Sequence, residues 1–191
     1  MIVPTGRTRR SGRPTSRAAH TLGFEAYSAP GATGTRLDDW YDDLTRLPGA
    51  AFWQTVVAAE SARSVRFHRQ ATVVLVEAVR IDELLAQWGR SVALRSVVEI
   101  GRILRDGCRA SDYVMRLGEG RFGILLTETD EIAAINVVER LRGRCEAALA
   151  ALPNATGIAF GWASPTEGRA LVDTIEKAEH RLRHEMDSAA T

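Results

Sequence analysis

The alternation of apolar and polar positions along the chain predicts four strands. Residues 71–79, ATVVLVEAV, form a β-branched run with few polar positions, which is typical of a central strand covered on both faces. The segments DYVMRL and RFGILLT predict a hairpin, and the glycines of its turn are expected to permit positive φ. The segment ATGIAFGWAS predicts the fourth strand.

Apolar residues at helical spacing account for most of the remaining chain. A stretch without breakers from about residue 49 to residue 69 predicts a leading helix, with Asp42 and Thr45 as plausible helix-start residues. Gly89 separates a short helix from a longer one, and Asp130 is expected to cap a third. The apolar stripe of the longer helix is predicted to contain Leu94, Val97, Val98, Gly101 and Leu104. With a final helix, the predicted order is β-α-α-β-β-α-β-α after the leading helix.

Composition and charge divide the chain into an arm and one folded domain. Of 191 residues, 45% are apolar and 26% are charged, which is ordinary for a folded protein. The net charge of +1 conceals an asymmetry, because residues 1–24 contain five arginines and no acid. Residues 1–36 are rich in Gly, Pro, Ser and Thr, and they predict a flexible basic arm before a domain at residues 37–188. The arm could contact nucleic acid, but a solvated arm is the favoured interpretation.

Several classes of protein are not supported by the sequence. No apolar run approaches the roughly 20 residues that cross a bilayer, and no signal-peptide core follows the basic start. A cytoplasmic protein without membrane contact is therefore expected. Cys108 and Cys145 lie in no CxxC pair and in no Cys/His cluster with metal-ligand spacing, so no metal site is expected.

Five motifs in order resemble the GGDEF family, the diguanylate cyclase fold related to the adenylyl cyclase palm. DDLTRLPGAAFW resembles the family segment DxLTGLPNRRxF, LVEAVRIDELLAQWG resembles LLDIDHFKxINDxYG, and RLGEGRF resembles the signature RxGGDEF. GIAFGWAS and AEHRLRHEM resemble VSIGVAS and ADxALYxAK. The resemblance covers roughly residues 38–186. It implies an α/β fold of the α+β type, with a mostly antiparallel central sheet flanked by helices.

The signature turn departs from the family pattern at the positions that bind metal and phosphate in the family. The family joins two GTP molecules with divalent metal held by carboxylates of the first strand and of the turn. Glu77 matches the strand carboxylate, but the turn here reads Gly118, Glu119, Gly120, Arg121 and Phe122. Gly120 and Arg121 stand in place of acids, and Glu119 stands in place of a glycine that admits triphosphate. The resemblance thus implies a degenerate, catalytically inactive domain without metal or cofactor, in which Glu119 and Arg121 form a solvated pair or a protein contact.

The family's nucleotide contacts also match apolar side chains in this chain. Its guanine-reading Asn and Asp match Leu85 and Leu94, and the phosphate-binding Lys matches Met186. A pocket without hydrogen-bond partners discriminates strongly against a polar base. The resemblance therefore implies that GTP is no longer a substrate.

A second motif, RASD at residues 109–112, resembles the RxxD inhibitory site with which the family binds cyclic di-GMP. Arg109 and Asp112 match the motif, and Arg140 matches a second arginine on the following helix. A guanidinium can bond guanine O6/N7 or phosphate, and a carboxylate accepts from guanine N1–H and its amino group. The alternative is a structural remnant in which Arg109 and Asp112 only cap a helix end.

Three functional hypotheses follow from these motifs. The first is a cyclic di-GMP receptor that uses Arg109, Asp112 and Arg140, signals to an unidentified protein partner and could form a ligand-bridged homodimer. The second is a pseudoenzyme scaffold that binds no nucleotide and acts through its helical faces. The third is a residual cyclase.

Overall fold

A four-stranded antiparallel sheet forms the centre of the protein, which a computed structural model describes over residues 40–152, 156–166 and 169–189. Its strands are β1 (Ala71–Val79), β2 (Tyr113–Arg116), β3 (Arg121–Thr127) and β4 (Gly157–Ala163). They lie in the order β2-β3-β1-β4, and β1 pairs antiparallel with both β3 and β4. The predicted central position of β1 is confirmed.

Helices flank the sheet in the predicted order. They are α1 (Ala50–Phe67), α2 (Ile81–Trp88), α3 (Arg90–Gly107), α4 (Glu131–Ala150) and α5 (Val172–Ala189). Asp130 caps α4 as predicted, because its carboxylate accepts a hydrogen bond of 2.6 Å from the backbone nitrogen of Ala133. None of the helices within the described ranges is both long and apolar enough to cross a membrane.

The sheet separates two apolar cores, which explains why β1 shows so little polar alternation. Val74 and Val76 belong to the core on the side of α3 and α4, together with Leu104 and Leu141. The neighbouring residues of β1 point to the opposite side, and the second core there includes Val73, Leu75, Trp53, Ile175 and Leu182. Both faces of β1 are therefore buried, as expected of a strand covered by helices on each side.

The leading helix begins where the sequence predicted, but Asp42 and Thr45 are not its starting residues. Gly49 is the N-cap residue of α1, and Asp42 and Thr45 lie in a turn before it. The Asp42 carboxylate accepts from both the backbone nitrogen and the hydroxyl of Thr45, each at 2.7 Å. The same local bonding that caps a helix can close a turn, so the prediction of helix-start residues was wrong.

The apolar stripe of α3 is confirmed at Val97, Gly101 and Leu104 and differs from the prediction at Leu94 and Val98. Ala93, Val97, Ile100 and Leu104 are buried, whereas Val98 is exposed and Leu94 is half-buried. The last two line an open cavity of about 640 Å³ instead of facing the sheet. The predicted arm at residues 1–36 lies outside the residues that the structure describes.

Candidate functional site

Arg116 holds the β2–β3 turn in place and ties it to the segment before α1. Its Nε donates to the carbonyl oxygen of Gly118 at 3.0 Å, and its Nη2 donates to that of Glu119 at 2.9 Å. Its Nη1 lies 2.6 Å from Oδ2 of Asp42 in a largely buried ion pair. This guanidinium therefore fixes the position of the signature turn.

The turn glycines do not use positive φ, contrary to the sequence-based expectation. Among the described glycines, Gly89 alone has positive φ, at 80°. Gly120 lies instead in a close approach, because a β-carbon there would stand 3.2 Å from Cβ of Ala78 and from Cγ2 of Ile81, and these neighbours would have to shift. The tight contact with the end of β1 brings the turn against the strand that carries Glu77.

Arg121 lies between two carboxylates at the start of β3. It stands opposite Glu77 in the β1–β3 register, with 3.8 Å between its Nε and Oε2 of Glu77. Its Nη2 lies 3.0 Å from Oε1 of Glu179 on α5. Exposed Glu119 forms no ion pair with Arg121, so the expected pair between them is wrong, whereas the expected protein contact stays a prediction. No sequence signal indicated Glu179 as the partner.

The position of the Arg121 guanidinium matters for metal binding. Two acids close together attract a divalent cation, but here the space between Glu77 and Glu179 already holds a fixed positive charge. Over the three described ranges, no group of three or more His, Cys, Asp or Glu residues could hold a metal ion.

The three residues that match nucleotide contacts take part in apolar packing. Leu85 is half-buried against the core on the α3 side, and Met186 packs against the core on the opposite side. Leu94 lines the apolar cavity together with Leu44 and Val98. These side chains offer a base or a phosphate no hydrogen-bonding group.

The RASD segment forms the connection between α3 and β2, and Asp112 organises it. Its Oδ2 accepts from the backbone nitrogen of Arg109 at 2.9 Å, and its Oδ1 accepts from that of Thr127 at 3.3 Å. A carboxylate has about four acceptor sites, so these two bonds leave capacity for further donors. The Arg109 side chain is exposed and makes no ion pair with a carboxylate in the described part of the chain.

Arg140 and Asp112 both influence Cys108, so the two charged groups lie at the same end of α3. Burial raises the pKa of the Cys108 thiol to about 12, the Asp112 charge adds to the increase, and the Arg140 charge opposes it. The thiol therefore stays protonated at neutral pH and is no nucleophile. Arg140 approaches from α4, where its Nη1 lies 3.7 Å from the point that a β-carbon on Gly107 would occupy.

The structure thus separates the sequence-predicted residues into two places. The signature turn lies at the end of β1 where the strand meets α2. Arg109, Asp112 and Arg140 lie around the C-terminal end of α3. Sequence reasoning overlooked Arg144, whose Nη1 lies 3.1 Å from the same point beside Gly107, although its i,i+4 spacing from Arg140 was a usable signal.

Comparison with known proteins gives the family. The family described as "Diguanylate cyclase, GGDEF domain" matches residues 39–189. Diguanylate cyclase DosC from Escherichia coli (strain K12) is 30% identical over 105 residues, which are 55% of this chain and 23% of DosC. The chain therefore spans only a fraction of the length of the curated relatives that it matches.

Solved structures share the fold at low sequence identity. Diguanylate cyclase SiaD from Pseudomonas aeruginosa, in complex with its activator SiaC, gives a TM-score of 0.73 at 23% identity over 80% of this chain and 60% of SiaD. The GGDEF domain of DgcB from Caulobacter crescentus, in complex with c-di-GMP, gives 0.74 at 13% identity over 81% of this chain and 94% of that domain. The match over residues 39–189, together with the shared antiparallel sheet and signature hairpin, shows that this chain belongs to the GGDEF family.

Proposed function

We propose that this GGDEF domain is a catalytically inactive receptor for cyclic di-GMP, with Arg109, Asp112 and Arg140 as ligand contacts. The observation that carries the proposal is the contrast between its two sites. At the signature turn, Arg121 occupies the space between Glu77 and Glu179. At the end of α3, the arginines are exposed and keep their donors available.

The absence of turnover follows from the charge at the turn. Joining two GTP molecules requires metal ions that neutralise the triphosphate and activate the attacking hydroxyl. A guanidinium fixed beside Glu77 repels such an ion, and exposed Glu119 repels phosphate oxygens. The leucines at positions 85 and 94 add the loss of base recognition.

Ligand binding is supported by the chemistry of the RASD segment and of Arg140. Cyclic di-GMP presents two guanines and two phosphates, which match guanidinium donors and a carboxylate acceptor. Asp112 is already oriented by the nitrogens of Arg109 and Thr127 while part of its acceptor capacity remains. The DgcB domain with the same fold was crystallised with c-di-GMP.

The receptor proposal is tested by calorimetric titration of cyclic di-GMP into the full chain. We expect binding by the wild type and an affinity about 10–100-fold lower for Arg109→Ala, because a charge-assisted contact is lost. Arg90→Ala is the control, since Arg90 is exposed at the opposite end of α3, roughly 25 Å from Gly107 at 1.5 Å per residue. Equal affinities for wild type and Arg109→Ala would place the ligand elsewhere.

The absence of cyclase activity is tested separately. The protein is incubated with GTP and Mg²⁺ or Mn²⁺, and the products are separated by chromatography. We expect no cyclic di-GMP above the level of the protein-free control, because the Arg121 charge excludes the metal. Formation of the product would establish the residual cyclase instead.

The second candidate is a scaffold that binds no nucleotide. It is favoured by the hydrogen bonds that the Asp112 carboxylate accepts from the backbone nitrogens of Arg109 and Thr127. Such bonds can serve only to cap the backbone, without any ligand. The SiaD domain, which shares the fold, was crystallised with a protein activator. If titration of cyclic di-GMP into the wild type gives no heat, and cyclic di-GMP does not change its sedimentation, the scaffold is supported over a ligand-bridged homodimer.

A further inference from the structure

We propose that Arg144 is an additional ligand-binding residue, which works with Arg140 to hold a phosphate of cyclic di-GMP at the C-terminal end of α3. This inference rests on the proposed function and extends the site beyond the RASD motif and Arg140. It rests on the packing around Gly107 and on the two arginine charges that lie there.

Gly107 lies where side chains of α4 pack against the end of α3. A β-carbon on Gly107 would stand 2.4 Å from Cδ2 of Leu141, which is closer than van der Waals contact permits. The Nη1 atoms of Arg144 and Arg140 lie 3.1 and 3.7 Å from the same point. The two guanidinium groups therefore converge at one place beside Gly107.

The convergence of these two groups is unfavourable by itself. Arginines at i,i+4 on one helix face repel each other, and in the described part of the chain neither has an ion pair with a carboxylate. Arg142, which lies between them in sequence, pairs instead with Glu139 and Glu185. The C-terminal carbonyls of α3 act as only about half a negative charge, which compensates for part of the two positive charges. An anion bound between Arg140 and Arg144 would remove the remaining repulsion.

The charge balance of the enlarged site fits a ligand with more than one phosphate. Arg109, Arg140 and Arg144 supply three positive charges, whereas Asp112 supplies one negative charge. Asp112 suits the donors of a guanine edge, and the paired guanidinium groups of α4 suit phosphate oxygens. Arg144 therefore contributes mainly through charge, and its contribution should weaken with added salt.

The test is the titration of cyclic di-GMP into the full-length Arg144→Gln variant at low and at high salt. We expect an affinity about tenfold lower than that of the wild type at low salt, and a smaller ratio at high salt because the phosphate contact is screened. Arg90→Gln, the matched exposed arginine at the other end of α3, should bind like the wild type. The unfolding temperature should not fall, since the Arg144 side chain is exposed and its removal relieves the repulsion with Arg140.

Two outcomes are distinguishable from each other. If the wild type binds and Arg144→Gln binds equally well, the role of Arg144 is refuted while the receptor function stands. If the wild type itself gives no heat and no shift in sedimentation with cyclic di-GMP, the receptor function fails and the role of Arg144 fails with it.

Discussion

Replacing Gly161 with alanine is expected to lower the free energy of unfolding by about 3 kcal/mol or more, or to prevent folding. Gly161 lies in the middle of β4, where a β-carbon would stand 2.1 Å from the carbonyl oxygen of Ala178 and 2.4 Å from the backbone nitrogen of Leu182. Both atoms belong to the backbone of α5, so no side-chain rotation can relieve the overlap. The helix would have to move away from the sheet.

Urea unfolding followed by circular dichroism measures this effect. Gly143→Ala is the matched control, because Gly143 lies in α4 with no neighbouring atom within 4 Å of its added β-carbon. Alanine in an exposed helix interior should stabilise the protein by about 0.5–1 kcal/mol. Equal unfolding midpoints for Gly161→Ala and the wild type would contradict the close contact between β4 and α5. The displaced α5 should also lose the Glu179 contact with Arg121.

The Arg116→Ala variant is expected to lose about 2 kcal/mol of stability at neutral pH. The change removes the donors of the Gly118 and Glu119 carbonyls and the ion-pair partner of Asp42. The side chains of the pair are 14% and 22% exposed, so solvent screens part of the loss and the cost stays below that of a fully buried pair. Arg69→Ala is the control, because its ion pair with Glu128 is highly exposed and should contribute at most about 0.5 kcal/mol.

The effect of Arg116→Ala should depend on pH through Asp42. Burial alone would raise the pKa of this carboxyl, but hydrogen bonds from Thr45 and the Arg116 guanidinium outweigh it and lower the pKa. A lowered pKa contributes stability that is present above the unfolded-state value, about 4, and is lost as the pH falls through the folded-state value. The stability difference between wild type and variant should therefore shrink in acid. A difference that stays constant down to complete acid unfolding would exclude the Asp42 pair as its source.

The Arg116→Ala variant also tests whether the two functional regions are independent. Arg116 holds the signature turn, whereas Arg109, Asp112 and Arg140 lie at the end of α3. A folded Arg116→Ala protein should therefore keep its affinity for cyclic di-GMP, which the same calorimetric titration would measure.

The sequence by itself determined the elements and their order. The β-branched run of β1, the hairpin and the Asp130 cap are local signals, because strand burial, turn closure and capping depend on residues close together in the chain. Five motifs in order were enough to identify the family, and the same resemblance predicted that Gly120 and Arg121 stand in place of acids. Local signals also produced a wrong prediction of the helix-start residues, because the hydrogen bonds between Asp42 and Thr45 close a turn and do not begin a helix.

Only the tertiary structure decided what the residues of the signature turn contact. Arg121 meets Glu179, which is far away in sequence, because α5 packs beside the end of β1 where the turn lies. Gly161 is indistinguishable from other glycines in the sequence, yet it permits a backbone contact with α5 that a β-carbon would block. Spacing along the chain predicts which residues share a face of one element, but the approach of two elements depends on the packing of the whole core.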